Sequence, residues 1–273
     1  MSQRQHLKTR EVEDARRRTA PRAAVVYEAI RREGREEIER SAAALMWSGL
    51  AAGLSMGFSF LTEGLLSSFL PDAAWVPLIS KLGYSVGFLI VILGRQQLFT
   101  ENTLTPILHL LHRMDSGTLW KVLRLWGVVF LANTLGALLF ALLAAFAPAF
   151  DSGLAQDLLE IGGKVFDKPF LSQLTGAVFA GWLIALTIWL LPFAETARVG
   201  VVIIITYIIG LGEFGHIIAG LVEAWYMLLV GGVIWEQFVL AFLLPVLLGN
   251  VIGGISFVAI VNYAQVASDS PNL

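Results

Sequence analysis

Six long runs of apolar residues are the dominant feature of this chain of 273 residues. They cover residues 41–70, 76–96, 119–147, 169–192, 197–211 and 233–265. A helix needs about 20 mostly apolar residues to cross the hydrocarbon core of a bilayer. Shorter apolar pieces follow the second and fifth runs, at 103–112 and 217–230, after a polar or glycine-rich interruption. The pattern predicts an all-α membrane protein with six spans, two of them broken.

The composition supports a protein that lives in the lipid bilayer. Hydrophobic residues make up 56% of the chain and charged residues 15%, whereas ordinary soluble domains carry about 25% charged residues. This hydrophobicity excludes both a soluble enzyme and a disordered chain. The sequence has no cysteine, and its motifs contain neither a nucleophile–base pair nor a set of metal ligands. We therefore expect no enzymatic activity, no metal, no cofactor and no nucleic-acid partner.

Charge is strongly segregated along the chain. Residues 1–40 hold 11 of the 19 lysine and arginine residues, beside 8 acidic residues. This composition predicts a water-exposed N-terminal segment at 1–40 with an amphipathic surface helix, followed by a membrane domain at 41–266 and a tail at 267–273. The loops at 112–124 and 192–199 add four further basic residues on the same side. Because basic residues concentrate on the cytoplasmic side, both termini are expected to be cytoplasmic in a cell (inner or plasma) membrane.

An internal repeat relates the two halves of the membrane domain. Asn133 and Gly136 in the third span recur as Asn250 and Gly253 in the sixth, 117 positions later, each pair followed four residues on by phenylalanine. The same offset carries Thr100 to within one residue of His216, so the two interruptions also match. Three-span halves insert with opposite topology, and broken helices at matching places indicate a substrate site near the membrane midplane. Close helix packing through small residues is the alternative explanation for each asparagine alone.

The two interruptions carry the candidate site residues. The first has the sequence Gln-Leu-Phe-Thr-Glu-Asn-Thr at 97–103, and the second has Gly-Leu-Gly-Glu-Phe-Gly-His at 210–216. Irregular backbone at membrane depth is tolerated where it lines a cavity or is buried in protein, and half-helix N-termini favour an anion there. The predicted pore centre is His216, Thr100, Glu101 and Glu213, and the predicted constriction includes Leu98, Phe99 and Phe214.

At these residues the chain resembles the formate/nitrite transporter (FNT) family over nearly all of residues 21–266. The most specific features are Leu98-Phe99-Thr100 with Asn102, Phe214-x-His216, and the motifs at Asn133 and Asn250. The resemblance implies an aquaporin-like six-helix protomer of two inverted repeats, with one pore per protomer and a homopentameric assembly. Family members conduct small monovalent anions such as formate, nitrite, hydrosulfide, acetate or lactate, with proton coupling in many cases. By position, it adds Tyr84, Phe88, Ile184 and Ile209 to the constriction.

The chain also departs from the family pattern. Gln97 stands where an acidic residue is usual, Glu101 where a small residue is usual, and Gly215 where the family has glutamate. The vestibule lysine has no single counterpart, because Lys164 and Lys168 straddle its expected place. These features look like the divergent YfdC-like branch of the family.

Acidic residues in the membrane domain leave the charge of the permeating solute open. Glu63 and Glu223 are expected in the extracellular vestibule with the two lysines, where an anion pathway is ordinarily basic. Glu101 has two possible placements: beside His216, where its charge repels anions, or at the half-helix that follows the break, where it interacts with the N-terminal dipole.

Three functions are therefore compared. The preferred one is a channel or transporter for weak-acid anions, which take up a proton while passing the apolar constrictions, because a neutral acid avoids most of the cost of burying a charge. The second is a channel altered by its acids toward cations or neutral solutes. The third is a poorly conducting membrane scaffold whose basic N-terminal helix binds a partner or anionic lipid.

Overall fold

The computed structural model describes residues 21–148 and 152–269. The first half of the predicted N-terminal segment and the end of the predicted tail lie outside these residues. All regular structure in the described ranges is helical. The helices are α1 (Ala23–Glu39), α2 (Ala42–Phe69), α3 (Val76–Leu93), α4 (Thr105–Arg113), α5 (Ser116–Phe146), α6 (Ser152–Lys164), α7 (Phe170–Leu190), α8 (Arg198–Leu211), α9 (Ile217–Leu229) and α10 (Trp235–Ser268).

The six predicted spans correspond to α2, α3, α5, α7, α8 and α10. Five of them are long and apolar enough to cross a membrane. The exception is α8, whose 14 residues cover about 21 Å at 1.5 Å per residue, and whose path is continued by α9 after a break. The break between α3 and α4 is the matching feature of the first half, so the prediction of an all-α protein with broken second and fifth spans is confirmed.

Each break has a local cause in the sequence. After α3 the chain turns at Gly94 and at Arg95, whose φ is 54°, and a turn of 3₁₀ helix at Glu101–Thr103 precedes α4. Pro106 lies in the first turn of α4, where its missing N–H leaves no hydrogen bond unmade. After α8 the chain turns at Glu213, whose φ is 47°, and His216 caps the N-terminus of α9.

The repeated glycines let two pairs of spans approach closely. A Cβ atom on Gly136 of α5 would lie 2.4 Å from the Leu50 carbonyl oxygen of α2. A Cβ atom on Gly253 of α10 would lie 2.1 Å from the Val178 carbonyl oxygen of α7. Neither position has room for a side chain, so the glycine three residues after each repeated asparagine sets a helix crossing.

Helix α1 docks on the membrane domain through one face. Its buried residues are Tyr27, Ile30, Gly34, Glu37 and Ile38, and a Cβ atom on Gly34 would lie 2.0 Å from the Thr105 carbonyl oxygen at the start of α4. Val25 lies outside this face and is 51% exposed.

Candidate functional site

Two cavities lie at opposite ends of the broken spans. The His216 cavity, of about 60 Å³, is lined at the start of α3 by Lys81 and Tyr84 and at the end of α8 by Ile209. The α1 cavity, of about 770 Å³, is lined at the end of α3 by Arg95 and at the start of α8 by Arg198. Helices α3 and α8 therefore run antiparallel between the same two cavities, as an inverted repeat requires.

An asparagine side chain holds each break. In the first half, Asn133 accepts a hydrogen bond from the Phe99 N–H at 2.9 Å. Its amide donates to the carbonyl oxygens of Gly49 and Gln97 at 2.7 and 2.9 Å. Both partners in the break belong to backbone that has left the helix, so the asparagine supplies the hydrogen bonds that a regular helix would make internally.

The second half repeats this arrangement. Asn250 accepts from the Ile217 N–H at 2.8 Å and donates to the carbonyl oxygens of Ala177 and Gly215, both at 2.8 Å. In each break the residue between the two clamped backbone groups occupies the same place, and that residue is Leu98 in the first half and His216 in the second. Leu98 and His216 are 118 positions apart, so the structural repeat of the two breaks differs by one residue from the 117-position offset predicted from the sequence.

Thr100 and His216 meet across the two halves. The Thr100 Oγ1 atom lies 2.8 Å from His216 Nε2, and the residues are 0% and 1% exposed. His216 Nδ1 accepts a hydrogen bond from the Ala219 N–H. In a neutral imidazole this assigns the ring proton to Nε2, which donates it to Thr100 Oγ1. The Thr100 hydroxyl then keeps its own hydrogen for a solute or a neighbouring group.

Apolar side chains surround this polar pair. The ring of Phe88 packs edge-on against the His216 ring at 4.8 Å between centroids, and Tyr84 lies 5.4 Å from Phe88. The residues at the other predicted constriction positions are buried or partly buried, and they are Leu98, Phe99, Ile184, Ile209 and Phe214. Among them, Phe99 packs on Trp126 and Phe130 of α5, and Phe214 stacks on Phe179.

Lysines and carboxyl groups line or border the His216 cavity. Lys81 forms a buried ion pair with Glu63 at 2.5 Å. Lys168 pairs with Glu213 at 3.4 Å, and its ammonium group also donates to the Glu213 carbonyl oxygen. These positions place Glu213 on the cavity wall beside a lysine.

The two remaining charged residues of this wall have different surroundings. Lys164 pairs with Glu160 one turn earlier on α6. Glu223 is 8% exposed and lines the cavity, and within the described residues it forms neither a hydrogen bond nor an ion pair.

The α1 cavity contains a second polar network, centred on Glu37 of α1. The Glu37 carboxyl accepts hydrogen bonds from the Thr105 hydroxyl and from the Gln97 amide, the latter at 3.1 Å. Gln97 in turn accepts a hydrogen bond from the Asn102 amide at 3.2 Å. Burial raises the pKa of Glu37 to about 7, although its two hydrogen-bond donors oppose the shift.

Glu101 lies in the wall of the α1 cavity, together with Glu37 and Arg95. Its Oε1 atom has no hydrogen-bond partner in the described part of the chain, and the helix start at Thr105 has no side-chain cap. The structure therefore brings Thr100 and His216 together and places Glu101 in the opposite cavity from the one that His216 lines.

Glu37 and Lys81 were not predicted as site residues, although the sequence contains a signal for each. Glu37 follows Tyr27, Ile30 and Gly34 at helical spacing, so an acid falls on the buried stripe of α1. Lys81 is a basic residue inside a span, and intramembrane charges are usually functional. Its position at the mouth of the cavity depends on the turn within α3, which hydropathy does not reveal.

Comparisons with known proteins agree with this architecture. The formate/nitrite transporter family profile matches residues 24–264. The inner membrane protein YfdC of Escherichia coli (strain K12) is 39% identical over 255 residues, covering 93% of this chain and 82% of that protein. A solved pentameric formate channel with formate bound superimposes with a TM-score of 0.70 at 20% identity, covering 82% of this chain and 97% of that one. A solved FNT-family ion channel gives 0.77 at 17% identity, covering 88% and 98%.

Two inverted halves with clamped breaks, and cavities on either side of a buried centre, define a multi-pass membrane channel or transporter rather than an enzyme. The match to the family profile over most of the chain shows that this protein belongs to the formate/nitrite transporter family. The YfdC relative also confirms the resemblance to that branch of the family.

Proposed function

We propose that this protein carries small weak-acid anions, of the size of formate or nitrite, across a cell membrane as a homopentamer with one pore per protomer. The observation that carries the proposal is the buried Thr100–His216 pair, which lies where two broken spans meet. The free hydroxyl hydrogen of Thr100 is a hydrogen-bond donor for an anion or an acid, and the apolar shell around it disfavours a fully charged solute.

Three further observations support an anion. The N-terminus of α9 begins at His216 and directs its positive dipole end toward the centre. Lys81, Lys164 and Lys168 line the His216 cavity and present three ammonium groups to an incoming solute. The related solved structure is a pentameric formate channel with formate bound, which also supports the five-fold assembly. Passage is coupled to a proton in this proposal, because a neutral acid crosses the apolar shell at far lower cost than an ion.

The α1 side is proposed to be cytoplasmic, with both termini on that side. Lys121 pairs with Glu39 of α1, and Arg124 donates to the carbonyl oxygens of Ile38 and Arg40. The basic residues of the 112–124 loop thus lie on the same side as α1, which carries Arg31, Arg32 and Arg35. Such an accumulation of basic residues is typical of a cytoplasmic face.

The alternative of a cation pathway draws on Glu63, Glu213 and Glu223, since acidic rings line cation channels. Two of these carboxyl groups are ion-paired with lysines, which favours the anion. The scaffold alternative has no specific structural observation in its favour.

The test is flux into proteoliposomes against formate, nitrite, hydrosulfide, lactate, potassium and ammonium over a range of pH. We expect acid-stimulated flux of the anions, and Thr100→Val and His216→Ala to reduce it or change its pH dependence. Thr175→Val, on the exposed face of α7, is the matched control. Cation flux would support the second function, and no flux for the whole panel would support the scaffold. Native mass measurement in detergent tests the pentamer.

A further inference from the structure

Glu223 is a buried carboxyl group of the His216 cavity that forms no ion pair of its own within the described residues. It lies on α9 with His216 and Gly220, at intervals of four and three residues, so the three share one helix face. All three line the cavity. Glu223 is therefore the first ionisable group after His216 along α9, two helical turns away.

Gly220 leaves room for the ring of Phe242 between these two positions of α9. A Cβ atom there would lie 2.6 Å from a ring carbon of Phe242, so the ring of α10 fills the position that a side chain would otherwise occupy. The wall between Glu223 and His216 is thus formed by backbone and an aromatic ring. No polar side chain stands on α9 between the carboxyl and the imidazole.

The charged groups around Glu223 are already engaged with one another. Every lysine of the cavity has another acid as its partner: Lys81 has Glu63, Lys164 has Glu160, and Lys168 has Glu213. The titratable groups that face this part of the cavity from the surrounding elements are Glu63, Lys81, Tyr84, Lys164, Lys168, Glu213 and His216. A carboxylate that is 8% exposed and lacks a cation in contact requires either a proton or a small cation to remain buried.

We propose that Glu223 holds a proton in the His216 cavity and that the site binds a small monocarboxylate beside it, as a shared-proton pair of carboxyl groups. The proposal rests on the proposed function and deepens it, because it names the group that supplies the proton. The Lys81 ammonium and the Tyr84 hydroxyl line the same cavity and can donate hydrogen bonds to the incoming anion, which docks beside the Glu223 carboxyl.

The proton transfer balances within the site. The O–H bond of the Glu223 carboxyl breaks as an O–H bond forms on the bound carboxylate, which leaves a neutral acid and a Glu223 carboxylate. The neutral acid moves past His216 and Thr100. A proton from the surrounding solution then restores the Glu223 carboxyl, and the net result is the passage of one anion with one proton. A positioned carboxyl group that transfers a proton at this point acts as a general acid.

Flux measurements on Glu223→Gln in proteoliposomes test this role. In that variant the neutral acid must come from bulk water, where its concentration falls tenfold for each unit of pH above the pKa of the acid. We expect formate flux in Glu223→Gln to fall about tenfold per unit between pH 6 and 8. The unaltered protein and the exposed control Glu236→Gln should fall much less steeply. Glu223→Asp should restore part of the shallow slope.

Infrared difference spectroscopy on the detergent-solubilised protein gives a second readout that needs no transport. At neutral pH, Glu223→Gln should lack one protonated-carboxyl carbonyl band that Glu236→Gln retains, while the contribution of Glu37 is the same in both. The proposal would be overturned if formate flux fell equally steeply with pH in all variants, or if the carbonyl band were unchanged in Glu223→Gln. Potassium-dependent flux that requires Glu223 would also overturn it. Failure of the unaltered protein to carry any weak acid would refute the proposed function, while the infrared band would still decide whether Glu223 holds a proton.

Discussion

The docking of α1 is expected to weaken as the pH rises from about 4.5 to about 7, because its buried face contains Glu37. The pKa of this carboxyl is raised from 4.5 to about 7 in the docked helix. Below about pH 4.5 the group carries a proton in both the docked and the released helix, and its stabilising contribution is fully present. Between 4.5 and 7 the released helix loses the proton first, so release becomes progressively more favourable.

The magnitude follows from these two values. One unit of pKa corresponds to about 1.4 kcal/mol, so ionisation of Glu37 weakens docking by about 3 kcal/mol at pH 8 relative to strongly acidic solution. Glu37→Gln keeps a hydrogen-bonding amide at this position and removes the ionisation. Glu36→Gln, on the exposed face of the same helix, removes one carboxyl without touching the buried network.

The assay is the rate of tryptic cleavage within α1, measured on the purified protein at pH 5.5 and pH 8. Dividing the rate of the unaltered protein by that of Glu37→Gln cancels the pH dependence of trypsin itself. We expect this ratio to rise about 30-fold between the two pH values, from the pKa values of the docked and released forms. The cleavage rate of the unaltered protein divided by that of Glu36→Gln should be the same at both pH values. A Glu37→Gln ratio that is the same at both pH values would refute the reasoning.

Three other expectations follow from the structure. Asn133→Ala and Asn250→Ala each remove three hydrogen bonds to buried backbone and should lower the free energy of unfolding by about 3 kcal/mol or more. The measurement is the fall in melting temperature. A fall no larger than that of a lipid-facing substitution would contradict the role of the asparagines in holding the breaks. Glu63→Gln should lower the free energy of unfolding by about 3–5 kcal/mol, because it leaves the Lys81 ammonium buried and unpaired. The double variant Glu63→Leu with Lys81→Met should recover most of this stability. Equal losses of stability in the two variants would contradict this expectation. Because the chain has no cysteine, Glu36→Cys provides a unique thiol for impermeant labelling of intact cells, and labelling without permeabilisation would place α1 outside.

The spans could be predicted from the sequence because their signal is local. Each needs only a run of apolar residues, and the predicted bounds agree with α2, α5 and α7 to within a few residues. The positions of the breaks were also available, since the repeated asparagines and glycines mark them. The one-residue shift of the repeat, which makes Leu98 equivalent to His216, could not be predicted, because it depends on which backbone groups each asparagine contacts.

The polar networks could not be predicted, since they join distant parts of the chain. Glu37 reaches Thr105 across 68 positions, and no local pattern specifies that partner. Glu101 directly follows Thr100 in the same break, at the start of the 3₁₀ turn, yet it lines the α1 cavity while Thr100 contacts His216. Neighbours in an irregular segment can thus face different parts of the protein, whereas within a regular helix their directions follow from the spacing.

The two asparagine clamps have a consequence for the order in which the protein is made. In the described part of the chain, the Asn133 side chain bonds to backbone within residues 49–99, and the Asn250 side chain to backbone within residues 177–217. The first three spans can therefore complete the hydrogen bonds of their broken helix as soon as the third span has entered the membrane, before the second half leaves the ribosome. The bond between Thr100 and His216 forms only when the finished halves come together, so the pathway for the solute is created at the last step of assembly.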